Sequence, residues 1–295
     1  MKARGVLVLG APGQLGAEVV QAFAGAGDVV VGLGHTDLDI TDRGSVATAI
    51  GEAFPSIVVN TAAFHNVERC EAEPDLAFAV NAIGAWHVAR AAAEVGATLV
   101  HISTDYVFDG AKGSAYLEED RPSPLNVYGA SKLAGEHLVA AACPRSFVVR
   151  VSGLYGPHPC RAKNGLNFPQ LMLKLAVEKG ELTVVTDEIV GPTYTPDVAR
   201  QLVRLVDTSS YGIVHATGGG AVSWHGFAEE TLRLAGLQSV PVHPASAATM
   251  VRAVRRPAQS ILAHGRLTAL GIDVMRPWQE ALRDYVRALP SNTPA

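Results

Sequence analysis

The chain has 295 residues, 48% of them hydrophobic and 18% charged, which is ample material for a buried core and too apolar for disorder. Its net charge of −4 excludes the basic footprint of a nucleic-acid or anionic-membrane binder. Cys70, Cys143 and Cys160 form neither a complete disulfide framework nor a zinc site. With no signal-peptide pattern and no run of about 18 apolar residues, the chain reads as cytoplasmic, with no membrane partner and no metal.

Short apolar runs at 5–9, 28–33, 57–61, 98–103 and 147–152 alternate with helical patterns at 14–25, 43–53, 74–95 and 126–142. Runs of this kind read as strands buried on both faces. Their alternation with helices predicts an α/β fold, a Rossmann-type doubly wound parallel sheet. After Ser152 the rhythm changes. Residues 153–166 are a Gly- and Pro-rich loop, followed by a helix over 167–179, a strand over 182–186, a turn-rich loop over 191–197 and a helix over 197–207. Residues 213–217 have the character of a strand returning to the sheet. Two or three helices follow, and 289–295 read as a frayed tail.

Directly after the first strand comes Gly10-Ala-Pro-Gly13-Gln14-Leu15-Gly16. Glycines at this spacing, between a strand and a helix, let the backbone approach a pyrophosphate whose charge sits at the helix N-terminus. The second strand ends near Leu33, followed by His35, Asp37 and Asp39 without an arginine. Acids there suit ribose hydroxyls, a base suits a 2′-phosphate, and the same acids serve equally well as loop or cap residues. The choice between NADH and NADPH stays open on these residues, with His35 tilting it slightly toward NADPH.

Tyr128 and Lys132 stand four apart on the helix of 126–142, on one face. A neighbouring ammonium is expected to lower the phenol's pKa and fit it for acid–base work. That helix follows the fourth strand, whose end carries Thr104 and Asp105 at the edge where doubly wound sheets bind ligands. Thr104 is placed to donate a hydrogen bond to a carbonyl beside the Tyr128 hydroxyl.

The segments GAPGQLG (10–16), LDITD (38–42), NTAAFHNVERCEAEP (60–74), STDYVFDG (103–110), SPLNVYGASKLAGE (123–136), PTYTPDVAR (192–200) and RRPAQSIL (255–262) together resemble the extended short-chain dehydrogenase/reductases. The likeness is strongest to their dTDP-4-dehydrorhamnose reductase branch and covers almost the whole chain. The resemblance implies NAD(P)H-dependent reduction of the 4-keto group of a nucleotide-linked deoxyhexose. Thr104, Tyr128 and Lys132 would be catalytic. Gly10, Gly13, Gln14, Leu15, Gly16, His35, Asp39, Ile40, Ala62, Ala63, His65, Tyr128 and Lys132 would border the cofactor. Thr104 and Asp105 would meet the nucleotide sugar. From side-chain chemistry rather than the resemblance, Asn167, Arg256, Arg255 and Arg150 suit its diphosphate, with ordinary ion pairing an equal reading for Arg255 and Arg256 and the better one for Arg150. A homodimer is compatible with the resemblance.

The chain departs from the branch at Gly153, where many members carry a tryptophan, and at His35, where many carry an arginine. Tyr106 stands where the related 4,6-dehydratases carry a second carboxylate, which favours simple reduction over elimination of water. Two other readings share the fold: a non-catalytic dinucleotide-binding subunit of the methionine adenosyltransferase β type, and a sugar-nucleotide epimerase. The expected organisation is a dinucleotide-binding domain of 1–152 with 194–217, and a smaller α/β substrate domain of 153–193 with 218–295.

Overall fold

Strand β1 (Gly5–Leu9) sends Val6 and Val8 into one hydrophobic cluster and Leu7 and Leu9 into another, as the two-residue pleat requires of a strand covered on both faces. The computed structural model describes residues 3–160, 165–250 and 253–289. From β1 the chain runs through α1 (Gln14–Gly25), β2 (Val29–Leu33), α2 (Arg43–Ala53) and β3 (Ile57–Asn60). Short α3 (Val67–Ala72) and α4 (Pro74–Phe78) lead through a π-helical turn, Ala79–Gly84, into α5 (Ala85–Glu94), then β4 (Thr98–Thr104), α6 (Val127–Ala142) and β5 (Ser146–Val151). The helix predicted over 74–95 is therefore continuous in backbone angles but widened in its middle. Helix α3 escaped the sequence pattern because six residues are too few to show a period.

The second half contains β6 (Leu154–Tyr155), α7 (Phe168–Lys179), β7 (Leu182–Val185), β8 (Ile189–Val190), β9 (Thr193–Tyr194), α8 (Thr195–Leu205), β10 (Gly212–His215), β11 (Val222–Ser223), α9 (Trp224–Leu234), β12 (Val242–Ala245), α10 (Gly265–Ala269) and α11 (Trp278–Ala288). Strand β10 returns to the main sheet, whose order is β2-β1-β3-β4-β5-β10 with every pair parallel. The remaining short strands pair as β6 with β9, β7 with β12 and β8 with β11. Helices α1 and α8 cover one face through Val19, Phe23, Val198 and Leu202. Helices α2, α5 and α6 cover the other through Ile50, Val88 and Val139. Two further clusters, around Tyr155, Phe227 and Trp278 and around Met172, Leu182 and Leu232, hold the second half together. Strand order reverses between β1 and β3, so the ligand crevice of such a sheet opens at the carboxyl ends of these strands. The end of the predicted tail, 290–295, and part of the predicted loop, 161–164, lie outside the described residues. Among the described residues no helix is long and apolar enough to cross a membrane.

The sheet also buries charge. Arg150 on β5 is 1% exposed and forks onto Glu136 of α6, Nε to Oε1 at 2.9 Å and Nη2 to Oε2 at 2.7 Å. Ser103 donates to the same carboxylate at 2.5 Å, and the guanidinium lies 5.0 Å from the centre of the Phe108 ring. His215 faces Arg150 through Nε2 at 3.5 Å and Ala263 O through Nδ1 at 3.0 Å. Burial, reinforced by Arg150, pushes its pKa down to about 3, so it is neutral and accepts from the guanidinium. Removing one partner of such a pair strands the other charge. We expect Glu136→Leu to cost about 3–5 kcal/mol in urea unfolding. The double change Glu136→Leu/Arg150→Leu is expected to cost clearly less than Glu136→Leu alone.

Candidate active site

At the head of β1, Gly10 has φ +81°, and a Cβ there would come within 2.7 Å of Thr61 Oγ1 and 2.8 Å of Ala62 N. A Cβ at Gly16 would lie 2.2 Å from the Gly10 carbonyl oxygen. The loop can therefore press on the end of β3 only with glycine at both positions. Gly10 N and Ala11 N both donate to Leu33 O, and Gly13 N to Gly10 O. Gly13 is the N-cap of α1 without a side chain to offer, and the first turn holds no acid. The opening amides at Gln14, Leu15 and Gly16 thus lack helical acceptors, and the buried Gln14 Nε2 has no hydrogen-bond partner. A glycine cradle, orphan donors and a helix N-terminus fit the pyrophosphate of a dinucleotide.

Around this loop, His35 is exposed just beyond β2, while Leu38 and Ile40 are buried. Asp39 accepts from the Thr41 amide at 2.9 Å and its hydroxyl at 2.8 Å, bonds that hold its carboxyl below the ordinary range, with a smaller contribution from His35. Asp37 accepts from Gly34 N at 2.7 Å and serves the turn. Beyond β3, Ala62 and Ala63 are partly buried, and exposed His65 turns Nδ1 toward Ala63 O at 3.4 Å.

Thr104 ends β4 and is 5% exposed. It accepts from Tyr106 N at 3.1 Å and donates to Asp105 Oδ1 at 3.1 Å. Asn126 caps α6 through Gly129 N and ties it to Arg255 O. One turn into that helix, Tyr128 is partly buried, with the Tyr106 ring edge-on at 5.7 Å. Burial pushes the Tyr128 phenol above its ordinary range, and a hydrogen bond with Thr104 pulls it back. Lys132 is 2% exposed, with Nζ donating to Ile102 O at 2.6 Å and standing 3.4 Å from His101 Nε2. Burial pushes its pKa down to about 8 against the attraction of Glu136. The spacing argument expected Lys132 to be the main influence on the phenol. In this arrangement its amine is turned to β4, and Thr104 is the leading counterweight to burial.

Asp105 is 3% exposed, accepts from Ser152 Oγ at 2.9 Å and is hydrogen-bonded with Ser260. Arg256 reaches Glu68 across from α3, and its buried Nε has no hydrogen-bond partner. Two expectations are corrected. Asn167 is 1% exposed and caps α7: Oδ1 accepts from Gln170 N, and Nδ2 donates to Gly156 O at 2.9 Å and Tyr285 OH at 2.8 Å. Both amide hydrogens are spent, so its role is structural. Arg150 is likewise sealed under Glu136 and does not face a diphosphate. Sequence reasoning also missed Asn60, His101 and Asn81. Asn81 bonds the Phe64 amide and carbonyl at 2.9 Å each, and Ser131 Oγ at 3.0 Å, tying the loop after β3 to α6. Its signal was present as a polar residue in an otherwise apolar stretch of helix. Among the described residues no group of three or more His, Cys, Asp or Glu side chains could hold a metal ion.

The model of the RmlD substrate-binding domain family matches residues 3–290. The chain belongs to this family. It is 40% identical to the spore coat polysaccharide biosynthesis protein SpsK of Bacillus subtilis over 96% of each chain. It is 39% identical to the dTDP-4-dehydrorhamnose reductase of Streptomyces griseus, over 96% of this chain and 93% of that one. The crystal structure of dTDP-4-dehydrorhamnose reductase from Bacillus anthracis in complex with NADP superposes with a TM-score of 0.92 at 38% identity, over 97% of this chain and 100% of that one. The extended short-chain dehydrogenase/reductase fold expected from the motifs is the fold observed.

Asp105 supplies a pH test. Its folded pKa is raised to about 6 from 3.8, chiefly by burial. The stabilising, protonated form is therefore fully present below about pH 4 and is lost as pH rises through 6. Asp105→Asn stays neutral throughout. Relative to wild type, the variant should gain about 2–3 kcal/mol between pH 4 and pH 7 in urea unfolding. An unchanged difference between the two proteins would mean that the carboxyl titrates normally.

Proposed function

We propose that this chain is an NAD(P)H-dependent oxidoreductase that reduces the 4-keto group of a nucleotide-linked 6-deoxyhexose, with dTDP-4-dehydrorhamnose reduced to dTDP-rhamnose. The observation that carries this reading is that Thr104 and Tyr128 meet at the carboxyl end of β4, with Lys132 one turn along α6, on the sheet that also presents the Gly10–Gly16 cradle. The relationship to dTDP-4-dehydrorhamnose reductases supports the substrate class, and the NADP complex of one of them supports NADPH. In the proposed division of labour, 1–152 with 194–217 holds the dinucleotide, and 153–193 with 218–295 closes over the sugar nucleotide.

When bound, a reduced dinucleotide would supply the hydride for the carbonyl carbon. The Gln14 and Leu15 amides would hold its pyrophosphate, and His35 and Asp39 would border its adenosine ribose. Tyr128 gives the carbonyl oxygen its proton. A phenol raised by burial keeps that proton until the oxygen becomes basic, as a general acid must. Thr104 aligns the oxygen, Lys132 supplies positive charge beside the phenol, and Asp105 and Arg256 orient the sugar nucleotide. Tyr106 adds no carboxylate for a second proton transfer, consistent with reduction alone.

The test is a panel of dTDP-, UDP- and GDP-linked 4-keto sugars assayed with NADH and NADPH. Turnover should be strongest with the dTDP sugar and NADPH. Tyr128→Phe should lower kcat by about 10²–10⁴-fold with cofactor affinity little changed, and Lys132→Met should reduce both. Gly13→Val, folded by circular dichroism, should weaken cofactor binding measured by nicotinamide fluorescence. Near-normal turnover in Tyr128→Phe would refute the assignment. A wild type that binds the cofactor but reduces no 4-keto sugar would favour a regulatory subunit.

A further inference from the structure

A second buried polar chain runs beside the site, and the order of its donors is fixed from one end. The backbone amide of Ala62 donates to Asn60 Oδ1 at 3.1 Å. An amide N–H only donates, so this contact fixes which end of the Asn60 carboxamide is oxygen. Asn60 Nδ2 then points at His101 Nδ1 at 3.3 Å. Nδ2 is a donor as well, so His101 Nδ1 must be the unprotonated acceptor, and a neutral ring carries its hydrogen on Nε2. That Nε2–H faces Lys132 Nζ at 3.4 Å, and Nζ donates to Ile102 O at 2.6 Å. The amine is left to accept from His101, which only its unprotonated form can do. Asn60 and His101 are each 1% exposed, and their Cα atoms pair in register between β3 and β4, so water does not scramble this order.

We propose that Asn60 and His101 are positioning residues that lock one donor direction from the dinucleotide loop to Lys132, and so set the proton affinity of its amine. The neutral amine docks on His101. A proton on Nζ turns that contact into donor against donor, so the ammonium leaves it and is free for the site. Burial acts in the same sense on both groups: His101 is held well below the ordinary histidine range, and Lys132 is lowered to about 8. Other ionisable groups are accounted for. Glu136, one turn along α6, attracts a proton to Lys132 but is itself held by Arg150 of β5 and Ser103 of β4. Tyr128 lies one turn back, and Cys70 of α3 bears on Tyr128. The consequence for turnover rests on the reading of Lys132 given above, whereas the direction of the chain does not.

The experiment is 15N NMR on the full-length, cofactor-free protein, with pH profiles of kcat/KM in parallel. In wild type the ring nitrogens of His101 should report the Nε2–H tautomer at neutral pH, and the Lys132 side chain should lose its proton near pH 8. In Asn60→Asp the carboxylate accepts from both Ala62 N–H and His101 Nδ1–H, so the tautomer reverses and Nε2 accepts from an ammonium. The Lys132 midpoint should then rise by about one pH unit or more, and the alkaline limb of kcat/KM should move with it. A merely structural Asn60 would leave the His101 tautomer unreversed, and a Lys132 midpoint that rose without that reversal would reflect the charge of the new carboxylate alone and overturn the proposal. An Nδ1–H tautomer in wild type overturns the proposal, as does a reversed tautomer in Asn60→Asp with the Lys132 midpoint unmoved. If Asn60→Asp does not fold, the wild-type tautomer decides by itself. Expected spectra without turnover on any 4-keto sugar would count against the proposed function and leave the direction of the chain in place.

Discussion

The carbonyl oxygen of Gly10 occupies space that a side chain at position 16 would need, and Gly10 itself lies where any Cβ would strike Thr61 and Ala62. This contact between the β1–α1 turn and the end of β3 sets the geometry of the whole carboxyl edge. It brings the α1 N-terminus over the sheet, where its free amides face the crevice. It also fixes the backbone at Ala62, whose N–H orients the Asn60 carboxamide. A widened turn would move the anion cradle and release the first member of the buried polar chain together. Hydrogen bonds from Gly10 and Ala11 to Leu33 O and from Thr61 Oγ1 to Leu9 O hold β1, β2 and β3 at that spacing.

Helix α6 is the second organiser. Tyr128, Lys132 and Glu136 follow at four-residue intervals on one face. Each meets a different layer: Tyr128 the end of β4, Lys132 its middle, and Glu136 the buried guanidinium on β5. The ion pair at the far end resists sliding of the helix, because a shift would break charge-assisted bonds in a dry interior. The helix can press this closely on the strand edge because Gly129 leaves room for the Tyr106 carbonyl, 2.2 Å from where a Cβ would stand.

Five strands of the sheet and the longer helices between them were legible, the strands because continuous apolar runs of four to seven residues bounded by turns have few other uses. The return of β10 was legible for the same reason. The two-residue strands β6, β8, β9 and β11 were not, since their pairing depends on tertiary contacts rather than on a pattern. Of the site, the glycine turn and the Tyr128–Lys132 face were read from spacing together with their places after the first and fourth strands. Asn167 and Arg150 were misjudged because polarity suggests a ligand, whereas burial gave each a full set of protein partners. His101 sits within the apolar run of β4, where period gives no sign that a polar side chain has a polar neighbour on the next strand.

Gly153 adopts φ +51°, and a Cβ on its backbone would come within 2.9 Å of Val190 Cγ2. The departure from tryptophan that the resemblance implies is thus written into the main chain as well as the side chain. Left-handed backbone is costly for a bulky residue, so tryptophan alone would meet both strain and a clash with β8. A larger side chain at position 153 therefore requires the loop after β5 and the turn at 190–192 to shift as a unit, which makes the two segments one steric module.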